Sequence, residues 1–253
     1  MAEPPPILNT QRSYAAASDI VIPLPPVRSP VHSCLYATSA TFRLPRAVAH
    51  ILGRRLEADP GTTWAYSSAS SHLLSAIVAD ATGQSTLAYA RANLFGPLGI
   101  NTDGAFEPKI VFPIPPAGLR AFEQAKIAWP RDPQGYHWGD GGLKLPARDL
   151  AKLGYLYLNG GRRDGKQMVP AEYVRTTAQE GGSPNIDQGY GQHWWVEIWN
   201  GHRTFRVQGY GGQLIHVVPD LDLVTVITSD AEMNRNDAKV LTDQDVLPAV
   251  TGP

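Results

Sequence analysis

Beyond Gly189 the hydrophobic period of this 253-residue chain switches from that of helices to that of strands. Gly189–Trp199, Arg203–Gln208, Gln213–Val218 and Leu223–Thr228 each read as a strand. Pro219-Asp220-Leu221-Asp222 is all that separates the last two, which is short enough only for an antiparallel hairpin. Leu241–Val250 reads as a terminal helix lying on one face of that sheet. Helical patterns fill the chain before Gly189. Helices first and neighbouring antiparallel strands last predict an α+β fold in layers.

The helices have legible ends. Arg46–Glu57 is amphipathic, with Val48, Ile51 and Leu52 on one face. Ser70 or Ser71 is expected to cap a helix bearing Leu73, Leu74, Ile77, Val78 and Ala81, with Gly83 as its stop. Ser85 caps the next, which runs to Gly96-Pro97. Residues 101–135 are rich in Pro and Gly and read as a long irregular connection. Leu150, Leu153, Leu156 and Tyr157 mark a helix ending at Asn159-Gly160-Gly161, with Arg148 and Asp149 as its starting charges. Pro170 suits the first position of another, running to about Thr177.

Residues 1–45 differ in kind. They hold eight of the 22 prolines against two acidic residues, Glu3 and Asp19. That composition predicts a weakly ordered segment, followed by a folded domain over 46–253. A net charge of −1 excludes the electrostatic footprint of a nucleic-acid or anionic-membrane binder. No apolar run reaches the length of a membrane span, and Met1-Ala2-Glu3-Pro4 begins no secretory signal. The default expectation is therefore cytoplasmic. One cysteine, Cys34, precludes an internal disulfide framework. Seven scattered histidines match no metal-ligand spacing, so neither metal nor cofactor is expected.

Three blocks of sequence carry chemistry. Pro60–Ile100 holds Tyr66-Ser67-Ser68 and ends Leu94-Phe95-Gly96-Pro97-Leu98-Gly99-Ile100. Gly139–Val174 holds Gly141-Gly142-Leu143, Ala147-Arg148-Asp149-Leu150-Ala151 and Asp164-Gly165-Lys166. Gly209-Tyr210-Gly211-Gly212-Gln213 is followed by Val217-Val218-Pro219-Asp220-Leu221. In this order they resemble the β-lactamase-related serine hydrolases, nearest to the 6-aminohexanoate-dimer hydrolase and family VIII esterase branch. The resemblance covers roughly residues 46–250. It implies a three-layer transpeptidase-like domain with an antiparallel sheet, lacking its N-terminal part. It also implies ester, amide or peptide-like small-molecule substrates.

By that resemblance Tyr66 is the acid/base tyrosine and Ser68 a polar group facing substrate. Tyr210, Gly211 and Gly212 stand at the third motif on an inner strand, where tyrosine replaces the family's Lys or His. The Gln213 N–H would be an oxyanion donor. Trp138, Trp194 and Trp195 are candidates for the cleft wall, with Gly211 admitting substrate closely. Tyr66 is then expected in the same cleft as Gly211 and Gly212. The family's nucleophile motif, Ser-x-x-Lys, is absent. The six lysines, Lys109, Lys126, Lys144, Lys152, Lys166 and Lys239, are preceded three positions earlier by Phe106, Glu123, Gly141, Asp149, Arg163 and Asn236. Two accounts stand open: a truncated chain, or a pseudoenzyme that keeps the shell and binds a small ligand.

Overall fold

The computed structural model describes residues 46–56, 58–59, 65–110, 116–179, 189–229, 238 and 240–251. Four helices precede most of the sheet: α1 (Ala47–Leu52), α2 (Ser68–Thr82), α3 (Thr86–Ala90) and α4 (Pro116–Gln124). The longer α5 (Ala147–Leu158) follows, then a small hairpin of β1 (Arg162–Arg163) and β2 (Lys166–Gln167), and α6 (Ala171–Val174). A five-stranded sheet in the order β3-β4-β5-β6-β7 comes next. Its strands are β3 (Gly189–Tyr190), β4 (Trp195–Trp199), β5 (His202–Gln208), β6 (Leu214–Val218) and β7 (Leu223–Ile227). The chain then returns through a π-helical turn, Thr242–Val246, into α7 (Leu247–Thr251).

Every neighbouring pair in the sheet is antiparallel. The predicted final hairpin forms, with Val218 opposite Leu223 and Leu214 opposite Ile227. Asp222 closes it in the left-handed region at φ 49°. Strand β6 is buried at all five positions. That follows from its place inside the sheet: Ile215 and Val217 face one layer, while His216 and Val218 face the other.

Helix α5 covers the first face. Leu150, Tyr157 and Leu158 pack there with Val174, Trp194, Val196, Phe205, Ile215 and Val217. A Cβ on Gly154 would come to 2.6 Å from Val224 Cγ1 and 2.9 Å from Ile215 Cγ2. The missing side chain lets the helix axis approach the sheet. The other side of α5 closes a second core, in which Leu156 meets Leu87, Phe95, Leu98, Ile100, Ile127 and Leu145. On the opposite face of the sheet, Leu247 of α7 packs with Trp199 and Val218. Helix, sheet and helix thus form the three layers expected from the sequence.

Several sequence expectations need correction. Gly189–Trp199 is two strands joined at residues 191–194, where Gly191 N–H donates to the Trp194 carbonyl at 2.8 Å and His193 takes φ 70°. The 101–135 stretch contains α4 and is tied down by bridges from Phe106 to Ala128 and from Lys109 to Arg131. Helix α2 buries His72, Ser75 and Ala76 and leaves Leu74 and Ile77 exposed. Its inner contact is polar: Ser75 Oγ lies 2.6 Å from Thr86 Oγ1 at the start of α3. The Pro-rich segment 1–45 lies outside the described residues.

Candidate functional site

Helix α2 is capped three residues earlier than the nearer of its two expected serines, Ser70. Ser67, extended at φ −143°, is the cap, and its hydroxyl oxygen accepts from Ser70 N–H at 3.1 Å. The cap makes Tyr66-Ser67-Ser68 a fixed corner between extended chain and helix. Tyr66 projects from it and remains 60% exposed. Its ring stacks on Trp195 at 6.2 Å and meets Tyr190 edge-on at 5.9 Å. Tyr190 and Trp195 face each other across β3 and β4, with rings 4.7 Å apart. Burial, with the Tyr66 phenol beside it, pushes the Tyr190 hydroxyl up to about 12.

The start of α2 is seated on the loop before α5. A Cβ on Gly139 would overlap the Ser71 carbonyl oxygen, so only glycine lets the loop lie this close. Gly139 N–H donates to His72 Nδ1 at 3.4 Å, and His72 Nε2 lies 3.1 Å from Asp132 Oδ2. The accepted N–H places the ring proton on Nε2, where it donates to the aspartate. The other Asp132 oxygen accepts from Gly135 N–H at 2.7 Å and Tyr136 N–H at 2.9 Å. His72 and Asp132 are both fully buried. Tyr136 donates to Asp80 Oδ1 at 3.0 Å, pinning the same loop one face further along α2.

Next to Gly139 stands Asp140. Ser68 and His72 at the start of α2 both favour its ionised form. Burial outweighs both and raises the Asp140 carboxyl to about 6. Its Oδ1 is buried without a hydrogen-bond partner among the described residues. Asp140, His72, Asp132 and Tyr190 were not predicted from sequence. Asp132-Pro133-Gln134-Gly135 is a turn signal, but nothing in it shows that its carboxylate reaches 60 residues back to His72.

The third motif is a turn and not a strand. Tyr210–Gly212 forms a single 3-10 turn, with Gly211 at φ 72° and Gly212 at φ 81°. β6 begins only at Leu214. Both glycines are buried, and the left-handed backbone explains the Gly-Gly pair. Gly209 N–H donates to the Gln213 carbonyl at 2.8 Å, closing the turn. Gln213 Oε1 accepts from Ser229 N–H at 3.2 Å, and the Ser229 hydroxyl donates to the Gly211 carbonyl. Gln213 therefore ties the turn to the end of β7 through its side chain. Tyr210 is 41% exposed.

The candidates lie on two parts of the fold. Tyr66 and Trp195 meet at the α2 corner, beside Ser68. Tyr210, Gly211, Gly212 and Gln213 form the β5–β6 turn. Two cleft-wall candidates are core side chains. Trp138 is 1% exposed among Ile110, Phe122 and Ala128. Trp194 is 5% exposed, edge-on to Phe205 at 5.2 Å. Their indoles fill the interior under α4 and α5. No cluster of metal-ligating side chains occurs among the described residues, and no helix there is long and apolar enough to cross a membrane.

Comparison with known proteins decides the family. The β-lactamase family model matches residues 23–247. This chain belongs to the β-lactamase family. The match begins inside the Pro-rich segment and extends nearly to the C-terminus. Among solved structures, the chain is similar to a protein described as a 6-aminohexanoate-dimer hydrolase from Bacillus anthracis. There the identity is 21% and the TM-score 0.58, covering 79% of this chain and 48% of the other. A penicillin-binding protein from Bacillus halodurans matches at 20% identity and TM-score 0.55, over 81% of this chain and 65% of that one. A D-stereospecific amidohydrolase from a Streptomyces species matches at 18% and 0.51, over 80% and 61%. At such identities these likenesses speak to fold. The chain spans 48–65% of the length of these three relatives. No curated protein matches it.

Proposed function

We propose that this β-lactamase-family chain carries the ligand-facing part of an acyl-transfer site for ester or amide small molecules. In the complete reaction a serine hydroxyl attacks the carbonyl, an acyl-serine forms, and water releases the acid. The observation that carries the reading is the exposed Tyr66 set on Trp195 by a capped corner, at the family's second motif. Tyr66 is the proton-handling residue in this reading, and Ser68 faces the ligand. Gln213, Tyr210 and Gly212 are assigned to the oxyanion side through the family's third motif.

The chain contains no Ser-x-x-Lys. We expect it, taken alone, to show no appreciable turnover, because loss of the nucleophile in a serine protease costs on the order of 10⁶ in kcat. Purified full chain should release no nitrophenol from short nitrophenyl esters above the rate of a Tyr66→Phe control. Saturable turnover by the wild-type chain would overturn this part of the reading. A second reading, a ligand-binding pseudoenzyme, is favoured by the same open aromatic step of Tyr66, Tyr190 and Trp195. Calorimetric titration with short amides and esters tests it, and absence of heat with every one of them would remove it.

A further inference from the structure

We infer that the outer edge of β7 is a self-association surface, on which β7 of a second copy of this chain pairs antiparallel about a two-fold axis at Thr225. β7 closes one side of the sheet, and β6 is its only hydrogen-bonded neighbour among the described residues. Every second residue along it turns its N–H and C=O away from β6. Such a row is a template for another strand, and proteins guard it with short strands, Lys, Pro, bulges or a covering element. β3, at the other side of the sheet, follows that practice. It is two residues long, and the turn beyond it is pressed on Thr177, whose carbonyl oxygen a Cβ on Gly191 would overlap. β7 carries none of these guards in its sequence. It runs five residues as Leu-Val-Thr-Val-Ile, uncharged and without proline. Its register with β6 holds at all five positions, with no bulge.

The sequence of the edge selects its occupant. Leu223-Val224-Thr225-Val226-Ile227 reads alike in chemistry from either end. Antiparallel pairing centred on Thr225 sets Thr225 against its own copy, Val224 against Val226 and Leu223 against Ile227. Threonine on threonine and aliphatic on aliphatic are favourable cross-strand pairs. The faces match as well. Val224 and Val226 pack on the α5 side of the sheet. Leu223 packs on the α7 side with Trp199, Val218 and Leu247, and alternation puts Thr225 and Ile227 on that side too. A slip of one residue would set one face against the other. A centre at Val224 or Val226 would set Thr225 against Leu223 or Ile227. The pairing joins the five strands of each copy into one antiparallel sheet. It closes on itself, because each copy spends its one β7 edge. The Tyr66 corner stands on β3 and β4 at the far side of the sheet, so both copies keep it open.

Sedimentation velocity of the full chain, from low to high micromolar concentration, should show a reversible passage from one chain mass to two and no further. An interface this narrow stands at the weak end of specific contacts, so the dimer should dissociate on dilution. Thr225→Lys and Thr225→Glu each place like charges face to face at the axis and should raise the dissociation constant by about 10-fold or more. Circular dichroism checks that both variants fold. An equimolar mixture of the two should regain the dimer, which damage to either variant could not produce. In a Cys34→Ser background, Thr225→Cys should give a disulfide-linked dimer on mild oxidation, since opposed residues of an antiparallel pair stand about 4.5–5.5 Å apart at Cα. Ile198→Cys, at a position 69% exposed on β4, should not. A chain that stays monomeric at every concentration overturns the inference. So does a dimer that Thr225→Lys leaves intact, or a mixture of folded variants that stays monomeric. Cross-linking through position 198 in preference to 225, or association that runs on past two copies, overturns it as well.

Discussion

Replacing Asp140 with asparagine should make the protein more stable, and the gain should depend on pH. The folded carboxyl titrates at about 6 in place of 3.8. That is about 2 units, and at about 1.4 kcal/mol per unit the ionised form costs the fold up to about 3 kcal/mol. An acid whose folded value is raised binds more protons in the folded state between about pH 4 and 6. Stability from this group is therefore full below about pH 4, falls as pH rises to about 6, and stays at its reduced level above. Asparagine keeps the shape of the side chain and carries no charge. Urea unfolding followed by circular dichroism at pH 4.5, 6 and 8 would measure the difference. Asp140→Asn should exceed wild type by up to about 3 kcal/mol at pH 8, or roughly 6–10 °C in Tm for a domain of this size. The two proteins should converge toward pH 4.5. A difference that does not change with pH, or a variant less stable at pH 8, would refute burial as the dominant influence on this carboxyl.

Other perturbations have outcomes set by the same geometry. Gly139→Ala forces the loop off the Ser71 carbonyl and should cost about 3 kcal/mol, measured by urea unfolding, with loss of Trp195 fluorescence changes on ligand addition. Gly154→Ala pushes α5 from Val224 and Ile215; it should destabilise by about 1–3 kcal/mol by thermal unfolding, although alanine is the better helix former. His72→Leu strands a buried Asp132 oxygen and should lower stability by about 1–3 kcal/mol, whereas Tyr66→Phe should change it by less than about 0.5. Burial lowers the His137 pKa against the pull of Glu107, so the unfolded state takes up the proton first. Stability from His137 is present above pH 6.5 and drains as pH falls, and His137→Gln should flatten that acid limb in a pH series of melts.

Period carried most of the fold. The alternation of Leu223–Thr228 and the short Pro219–Asp222 link left no pairing but an antiparallel hairpin, and β6–β7 is that hairpin. The three motifs likewise led to the family. What escaped was decided by contacts distant in sequence. The apolar residues Leu74 and Ile77 mark a helix without saying which face is buried, and α2 turns His72 and Ser75 inward because their partners, Asp132 and Thr86, lie there. Trp138 and Trp194 are only candidate walls by sequence because indoles line clefts and cores alike, and packing tells the two apart.

The two halves of the site also differ in what holds them. The β5–β6 turn is fixed by backbone chirality at Gly211 and Gly212 and by Gln213 reaching Ser229, all within one hairpin layer. The α2 corner has no such local lock beyond Ser67. It is held by a loop 60 or more residues away in sequence, through Gly139 and through His72 with Asp132.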